Sequence, residues 1–235
     1  MQKPFQHFVL VSFLVGALAL GGCDSPKQQA STPSTTPPAP TSTTPDTNTN
    51  QFPDLPRLNG KATVEMVVKG KTIMIELDGT NAPISAGNFA ELVQKGFYNG
   101  LTFHRVVREP QPFVVQGGDP KGTGQGGYVP TGKSEERRIP LEIKPRGGSA
   151  PVYGQTITDT PQLQHKRGAI AMARSQSPDS ASSQFYFTLA DIAFLDGNYA
   201  VFGNITKGVE VIDTIKQGDK ITSAKVTKGI ENLKK

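Results

Sequence analysis

The sequence is poor in the residues that build disulfides and metal sites. Its 235 residues include one cysteine, three histidines and no tryptophan. A single cysteine excludes an internal disulfide, and so few thiols and imidazoles give no support to a transition-metal site. Glycine and proline are abundant instead, at 25 and 19 residues, and the longest regular helical pattern is short. This composition favours a β-rich domain with many turns over a helical bundle.

The charged residues show no clustering of one sign. The formal net charge is +5. Acidic residues interrupt the basic ones even between Lys133 and Arg138, where Glu135 and Glu136 occur. Proteins that bind nucleic acids concentrate lysine and arginine on one face or stripe. We therefore predict a solvated surface and no nucleic-acid partner.

The first 22 residues have the features of a lipoprotein-type signal peptide. A start that contains Lys3 precedes an apolar run from Phe8 to Leu20. As a helix this run would rise only about 20 Å, whereas a bilayer core is about 30 Å thick. The length suits a cleaved signal peptide, and Leu-Gly-Gly-Cys at residues 20–23 resembles a bacterial lipobox. We expect Cys23 to be lipidated; an ordinary cleaved signal or an uncleaved anchor are the alternatives.

Residues 23–57 are expected to be a disordered tether ahead of a folded domain at residues 58–235. Sixteen of the twenty residues from Ser31 to Asn50 are serine, threonine or proline. Such a segment buries too little apolar surface to offset the entropy lost on ordering, and its prolines keep it extended. We expect an exported, membrane-anchored lipoprotein that faces the periplasm or an equivalent compartment. A ligand for a proline-recognition domain is the alternative for the tether.

Hydrophobic patterns place about eight strands and two short helices in the domain. A proline and a glycine bracket a helical apolar stripe over residues 83–96, and a second helix is expected at 208–217. Strands are expected at 62–68, 72–77, 102–107, 113–116, 168–173, 184–189, 200–205 and 220–226. Many strands and two helices suggest an all-β fold, a closed barrel with helices over its openings.

Polar residues inside otherwise apolar strands carry the main functional signal. They lie in Phe-His-Arg at 103–105, Gln-Gly-Gly-Asp at 116–119, Met-Ala at 172–173, Ser-Gln-Phe at 183–185, Leu-Asp-Gly at 195–197 and Val-Phe-Gly at 201–203. In this order the segments resemble the cyclophilin family of peptidyl-prolyl isomerases, over nearly all of residues 62–226. The resemblance implies an eight-stranded antiparallel β-barrel capped by two helices. It also implies an enzyme that accelerates rotation about X-Pro bonds in exported or membrane-associated proteins.

Rotation about an amide cleaves no bond, so the implied site needs no nucleophile, metal or cofactor. Resonance gives the rotation a barrier of about 20 kcal/mol, and at mid-rotation the proline nitrogen has a free lone pair. A catalyst has to bind the twisted amide more tightly than the planar forms. By resemblance Arg105 is the catalytic arginine, whose rigid fork of donors can hold the substrate carbonyl and offer N–H to that nitrogen. Gln116 matches the family's glutamine that orients this arginine.

The resemblance also implies a substrate-binding surface around Arg105. The positions that match the apolar proline pocket are Phe113, Val114, Tyr186, Phe194, Leu195 and Tyr199. The positions that match other substrate contacts are Ala173 and Arg174, whose backbone would pair with an extended substrate, Gln184, and the loop of Gly122, Thr123 and Gly124. We therefore expect proline-containing proteins or peptides as partners, and a monomer.

Several positions depart from the family's common residues. The family often has Met, Asn, Phe, Trp and His where this chain has Val114, Arg174, Tyr186, Phe194 and Tyr199. These changes leave an apolar pocket, but the lost indole N–H puts cyclosporin binding in doubt. The 108–112 loop is longer than usual, and the segment from 121 to 164 is enlarged. Its Pro-Leu-Glu-Ile stretch at 140–143 suggests a short strand or an ordered loop.

The sequence also suggests three interpretations other than an isomerase. Residues 122–127 fit a G-x-G-x-x-G dinucleotide motif, but Tyr-Val-Pro follows where a helix should open. A serine hydrolase would use Ser182, Ser183, His104 and Asp196, although the G-x-S-x-G motif is missing and His104 should face away from Arg105 across the strand. A cyclophilin-like module that binds proline segments without turnover would share the same pocket, and the intact Arg105 and Gln116 argue against it.

Overall fold

The computed structural model describes residues 51–234. The predicted signal peptide, Cys23 and most of the predicted tether lie outside the described residues. Helix α1 spans Pro83–Gln94 and helix α2 spans Val211–Thr214. The strands in chain order are β1 Arg57–Leu58, β2 Lys61–Val68, β3 Lys71–Asp78, β4 Arg105–Val107, β5 Val114–Gly117, β6 Glu142–Ile143, β7 Val152–Tyr153, β8 Ala169–Met172, β9 Phe185–Thr188, β10 Val201–Lys207, β11 Ile221–Lys228 and β12 Leu233–Lys234.

Eight strands form one curled antiparallel sheet in the order β11-β2-β3-β10-β8-β9-β5-β4. This confirms the predicted mostly-β fold with eight antiparallel strands and two helices. The closed-barrel description is corrected, because no continuous ladder joins the described edge strands β4 and β11. Strand β4 has only three residues, and the segment before it reaches β11 through one isolated bridge, Thr102 to Lys220. Backbone hydrogen bonds such as Phe103 N–H to Asp219 O, at 2.9 Å, complete that contact.

The predicted elements differ from the observed ones mainly at their ends. The hairpin of β2 and β3 turns at Lys69 and Gly70, both with positive φ, which fits the twist of a two-residue hairpin. The second helix is shorter than predicted, because Gly208 has a φ of 78° and Ile215 is already extended. Within residues 51–234 no helix has both the length and the apolar character needed to cross a bilayer.

The two faces of the sheet pack against different partners. Side chains alternate across a strand, so Phe185 and Phe187 of β9 join the main core while Tyr186 points to the opposite face. The main core lies between the sheet and α1, where Phe89 stands edge-on to Phe185 at 5.2 Å between ring centroids. The opposite face of β5, β8 and β9 carries a smaller apolar cluster around Tyr186. That second cluster is where the candidate site forms.

Hydrogen bonds attach the enlarged segment, residues 121–164, to the start of α1. The helix has Ala82 at its N-cap, which offers no side-chain oxygen to the free N–H groups of the first turn. The buried carboxylate of Glu142 on β6 accepts them instead, from Ile84 N at 3.0 Å and Ser85 N at 2.7 Å. Burial raises the pKa of the Glu142 carboxyl, and these hydrogen bonds act in the opposite direction. The predicted 140–143 stretch thus contains a two-residue strand, Glu142–Ile143, whose glutamate also caps α1.

The capping role of Glu142 predicts a specific loss of stability. In Glu142→Gln an amide N–H₂ would face one of the two backbone N–H donors, and a buried donor without an acceptor costs about 1–3 kcal/mol. We expect the free energy of unfolding from urea denaturation to fall by that amount at an unchanged m-value. Glu135→Gln, an exposed glutamate of the same segment, is the matched control. Equal stability of the two variants would contradict the cap.

Candidate active site

The register of four neighbouring strands places the polar residues of the site in one row. Residues paired across an antiparallel ladder project on the same face. Arg105 pairs with Gln116, Gln116 with Tyr186, and Tyr186 with Ala171. The row therefore runs from the edge strand β4 to the middle of the sheet on the face opposite the main core.

A chain of hydrogen bonds fixes the exposed guanidinium of Arg105. Its Nη1 donates to Gln116 Oε1 at 3.2 Å, Gln116 Nε2 donates to Gln184 Oε1 at 2.9 Å, and Gln184 Nε2 donates to Gly126 O at 2.8 Å. Each amide oxygen accepts and each amide nitrogen donates, so the chain has a single direction. The guanidinium carbon also lies 5.7 Å from the centroid of the Phe113 ring, within cation–π range.

A cavity of about 180 Å³, lined by aliphatic and aromatic side chains together with three polar ones, opens beside Arg105. Its lining residues are Arg105, Phe113, Val114, Gln116, Ala173, Arg174, Tyr186, Leu195 and Tyr199. The structure thus brings together most of the residues that the sequence predicted for a proline pocket. Phe194 lies at the rim, where its ring stacks on Phe113 at 5.8 Å with 71 % of the residue exposed.

A second, more polar cavity of about 240 Å³ continues from the first. The two cavities share Gln116, Ala173 and Arg174. Gln184 and Gly124 line the second cavity, as do Glu136 and Arg138 of the enlarged segment. Together the cavities form one groove, and the aromatic and aliphatic side chains are concentrated at the end beside Arg105. This arrangement suits a peptide whose proline enters at that end.

Arg174 lines both cavities of the groove, and contacts within the chain hold its side chain in place. Its Nη2 donates to Asn198 O at 2.8 Å and its Nη1 donates to Ser175 O at 2.8 Å. The guanidinium carbon lies 4.7 Å above the centroid of the Tyr199 ring. Beside it, the backbone N–H of Ala173 donates to Gln184 O at 2.9 Å, so that N–H is already paired within the protein.

Asp119 organises the glycine-rich loop that follows β5. Its side chain accepts backbone N–H from Lys121 at 2.7 Å, Thr123 at 2.8 Å and Gly124 at 2.6 Å. Burial alone would raise the pKa of the Asp119 carboxyl, but these hydrogen bonds outweigh it and lower the pKa. Of the three predicted loop residues Gly122, Thr123 and Gly124, only Gly124 lines a cavity described above.

The side chains of the serine hydrolase hypothesis do not assemble. Ser183 Oγ donates to Gly118 O at 2.7 Å, and Ser182 Oγ accepts from Tyr128 N at 3.0 Å. Asp196 pairs with His165, 2.7 Å from Nδ1 to Oδ1, and not with His104. The geometry therefore gives no support to a serine nucleophile.

His165 is a part of the site that the sequence analysis did not identify. Its imidazole lies between Asp196 and the hydroxyl of Tyr186, which is 2.9 Å from Nε2. Burial lowers the pKa of His165, and Asp196 offsets part of that effect. Burial also raises the pKa of the Tyr186 hydroxyl well above its usual value. The signal present in the sequence is the Leu-Asp-Gly motif at residues 195–197, which contains Asp196.

Comparison with known proteins agrees with this geometry. The family model described as "Cyclophilin type peptidyl-prolyl cis-trans isomerase/CLD" matches residues 63–234. A Synechocystis protein whose name describes a thylakoid lumen peptidyl-prolyl cis-trans isomerase is 42% identical over 198 residues, which are 78% of this chain and 51% of that protein. A chloroplastic peptidyl-prolyl cis-trans isomerase of Arabidopsis thaliana is 36% identical over 206 residues, 78% of this chain and 46% of that protein. The chain thus spans about half the length of these two relatives.

Shorter relatives and solved structures show the same similarity. A peptidyl-prolyl cis-trans isomerase of Helicobacter pylori is 41% identical over 153 residues, 64% of this chain and 78% of that protein. The crystal structure of a cyclophilin type isomerase of Cryptosporidium parvum superposes with a TM-score of 0.57 at 25% identity, over 72% of this chain and 98% of that one. The chain belongs to the cyclophilin family of peptidyl-prolyl cis-trans isomerases.

Proposed function

We propose that this protein accelerates cis–trans rotation about X-Pro peptide bonds, with Arg105 stabilising the twisted amide. The observation that carries the proposal is the guanidinium of Arg105, held by Gln116 beside a cavity that aromatic and aliphatic side chains line. A guanidinium has five N–H donors, and the bond to Gln116 uses one of them. Other donors of the same rigid fork can then point to the carbonyl and the nitrogen of a proline seated in the cavity.

The proposed mechanism depends on donors that are in place before the amide twists. Fixed donors stabilise a developing charge or lone pair without reorganising at the moment of reaction. The hydrogen-bond chain through Gln116 and Gln184 to Gly126 O provides this fixation. The aromatic and aliphatic side chains of the cavity hold the proline ring while the residue before it turns, so the bond rotates on the enzyme with no covalent intermediate. In this proposal Arg105 and Gln116 are the catalytic residues.

We propose that the clients are proline-containing proteins or peptides, which bind along the groove of a monomeric enzyme. A structure of the Cryptosporidium parvum cyclophilin was obtained in the presence of the dipeptide Ala-Pro. The polar cavity beside the proline pocket offers room for client residues that precede the proline.

We propose an extracytoplasmic location, with residues 1–22 as signal peptide, Cys23 as lipid anchor and residues 23–57 as tether to the domain at 58–235. The apolar run and the lipobox-like Leu-Gly-Gly-Cys support this assignment, as do relatives named for the thylakoid lumen and the chloroplast. Several acyl chains on one cysteine would anchor the protein stably, whereas a single chain would not. The clients would then be exported or membrane-associated proteins.

Removal of the Arg105 side chain should abolish most of the activity. In Arg105→Ala we expect kcat/KM in a protease-coupled prolyl peptide assay to fall by about 10²-fold or more, the usual effect of losing a fixed transition-state donor. Arg146→Ala, which removes an exposed arginine of the enlarged segment, should leave kcat/KM unchanged. An unchanged rate in Arg105→Ala would contradict the mechanism. Inactive wild-type protein that still binds the peptide would instead favour the binding module without turnover.

The rate should be independent of pH across the neutral range. Burial lowers the pKa values of His104 and His165 below their usual value and raises that of Tyr186, while an arginine stays charged. We expect kcat/KM to be flat between about pH 7 and about pH 8.5, since histidines usually titrate near 6.5. A pH–rate profile with an inflection near the middle of that range would indicate general acid–base catalysis and contradict the account.

The anchor assignment predicts that lipid attachment depends on Cys23. In a bacterial host the wild-type chain should incorporate a radioactive fatty acid and partition with membranes. Cys23→Ser should incorporate none and remain in the soluble fraction if the signal is still cleaved. Equal labelling of the two proteins would contradict lipidation at Cys23.

A further inference from the structure

Behind the proline cavity, three side chains form a continuous line of hydrogen bonds. The Tyr186 hydroxyl lies 2.9 Å from His165 Nε2, and His165 Nδ1 lies 2.7 Å from Asp196 Oδ1. His165 is 1% exposed and Tyr186 is 4% exposed, so water does not compete for these bonds. The rings of His165 and Tyr186 are also nearly parallel, at 13°. We refer to these three residues as the relay.

The side chains of Asp196 and Tyr186 determine which atoms donate and which accept in the two hydrogen bonds of the relay. An ionised carboxylate accepts hydrogen bonds and donates none, so the ring hydrogen of a neutral His165 has to lie on Nδ1. Nε2 then carries the lone pair, and the Tyr186 hydroxyl donates to it. The backbone N–H of His165 donates to the same Asp196 oxygen at 2.8 Å. Asp196 therefore holds both the backbone and the ring of the histidine.

The two ends of the relay lie on, or next to, different elements that line the proline cavity. Tyr186 lines the cavity from β9, while Asp196 directly follows Leu195, which lines it from the short 3₁₀ helix Ala193–Leu195. That helix carries the exposed Phe194, and its Leu195 packs against the apolar cluster around Tyr186. A second bond from Ile192 N–H to His165 O, at 2.9 Å, ties the start of the same helix to the histidine. His165 therefore connects β9, which carries Tyr186, with the loop that contains the 193–195 helix.

We propose that His165 is a positioning residue that sets the width of the proline cavity by holding Tyr186 and the 193–195 helix at a fixed separation. This inference rests on the proposed isomerase function and adds a residue that acts through others. Because the proline ring occupies the cavity in the planar and in the twisted state, the relay contributes uniform binding, which changes KM and not kcat.

The test uses the full chain and two variants that keep an aromatic ring in place. Tyr186→Phe removes only the hydroxyl, and His165→Phe removes both side-chain bonds of the relay. In each we expect KM for a proline-containing peptide to rise about three- to tenfold with kcat within about twofold of wild type, as expected for lost uniform binding. The dissociation constant of the peptide, from calorimetric titration, should rise by the same factor.

Tyr98→Phe is the matched control for the loss of a buried hydroxyl. The Tyr98 hydroxyl donates to Ser183 O at 3.0 Å in the main core, away from the residues that line the proline cavity. We expect Tyr98→Phe to lower the melting temperature without changing KM. An unchanged KM in Tyr186→Phe and His165→Phe, or an equal rise in Tyr98→Phe, would overturn the proposal. A fall in kcat at constant KM would overturn it as well.

A spectroscopic measurement tests the relay without any variant or activity. In ¹⁵N-labelled full chain at neutral pH, His165 should show the neutral tautomer protonated on Nδ1, with a slowly exchanging ring hydrogen. Protonation on Nε2 would reverse the assigned direction and contradict the relay. An inactive wild-type protein would overturn the proposed function, whereas the tautomer and the dissociation constants still decide on the positioning role of His165.

Discussion

The site depends on the register between β4, β5, β9 and β8. Because Arg105, Gln116, Tyr186 and Ala171 are paired in succession, a polar side chain at the edge of the sheet lies next to an apolar floor nearer its centre. A shift of one residue in any of these ladders would point a side chain of this row towards the main core instead of the site. The position of Arg105 beside the cavity is therefore a property of backbone pairing, to which the side-chain hydrogen bonds add orientation.

Packing on the two faces of the sheet makes this register robust. Phe185 and Phe187 are fully buried in the main core, so β9 has no freedom to present Tyr186 elsewhere. On the other side, Glu142 ties the enlarged segment to the start of α1. Arg137 of the same segment bonds to Glu91 and Asn88 of that helix. These attachments bring the neighbouring Glu136 and Arg138 to the polar cavity, where they can contact a client.

The sequence predicted the fold well because its patterns are local. Alternation in β2 and β3, the Lys69-Gly70 turn and the apolar stripe of α1 each follow from short-range physics. Ordered motifs predicted the residues around Arg105 through the resemblance, and the structure gathers most of them at one cavity. The capping of α1 by Glu142, and the relay through His165, join residues more than 20 positions apart. Such contacts depend on tertiary packing, and no periodicity or spacing in one sequence encodes them.

The central claim is that the groove beside Arg105 turns over X-Pro bonds without covalent chemistry. Exchange spectroscopy by NMR on a peptide with one X-Pro bond measures this directly at equilibrium. With catalytic amounts of the full chain, the account predicts faster interconversion of the cis and trans signals at an unchanged ratio of the two isomers in free peptide. A peptide that binds in the groove while its interconversion rate stays at the uncatalysed value would contradict the account.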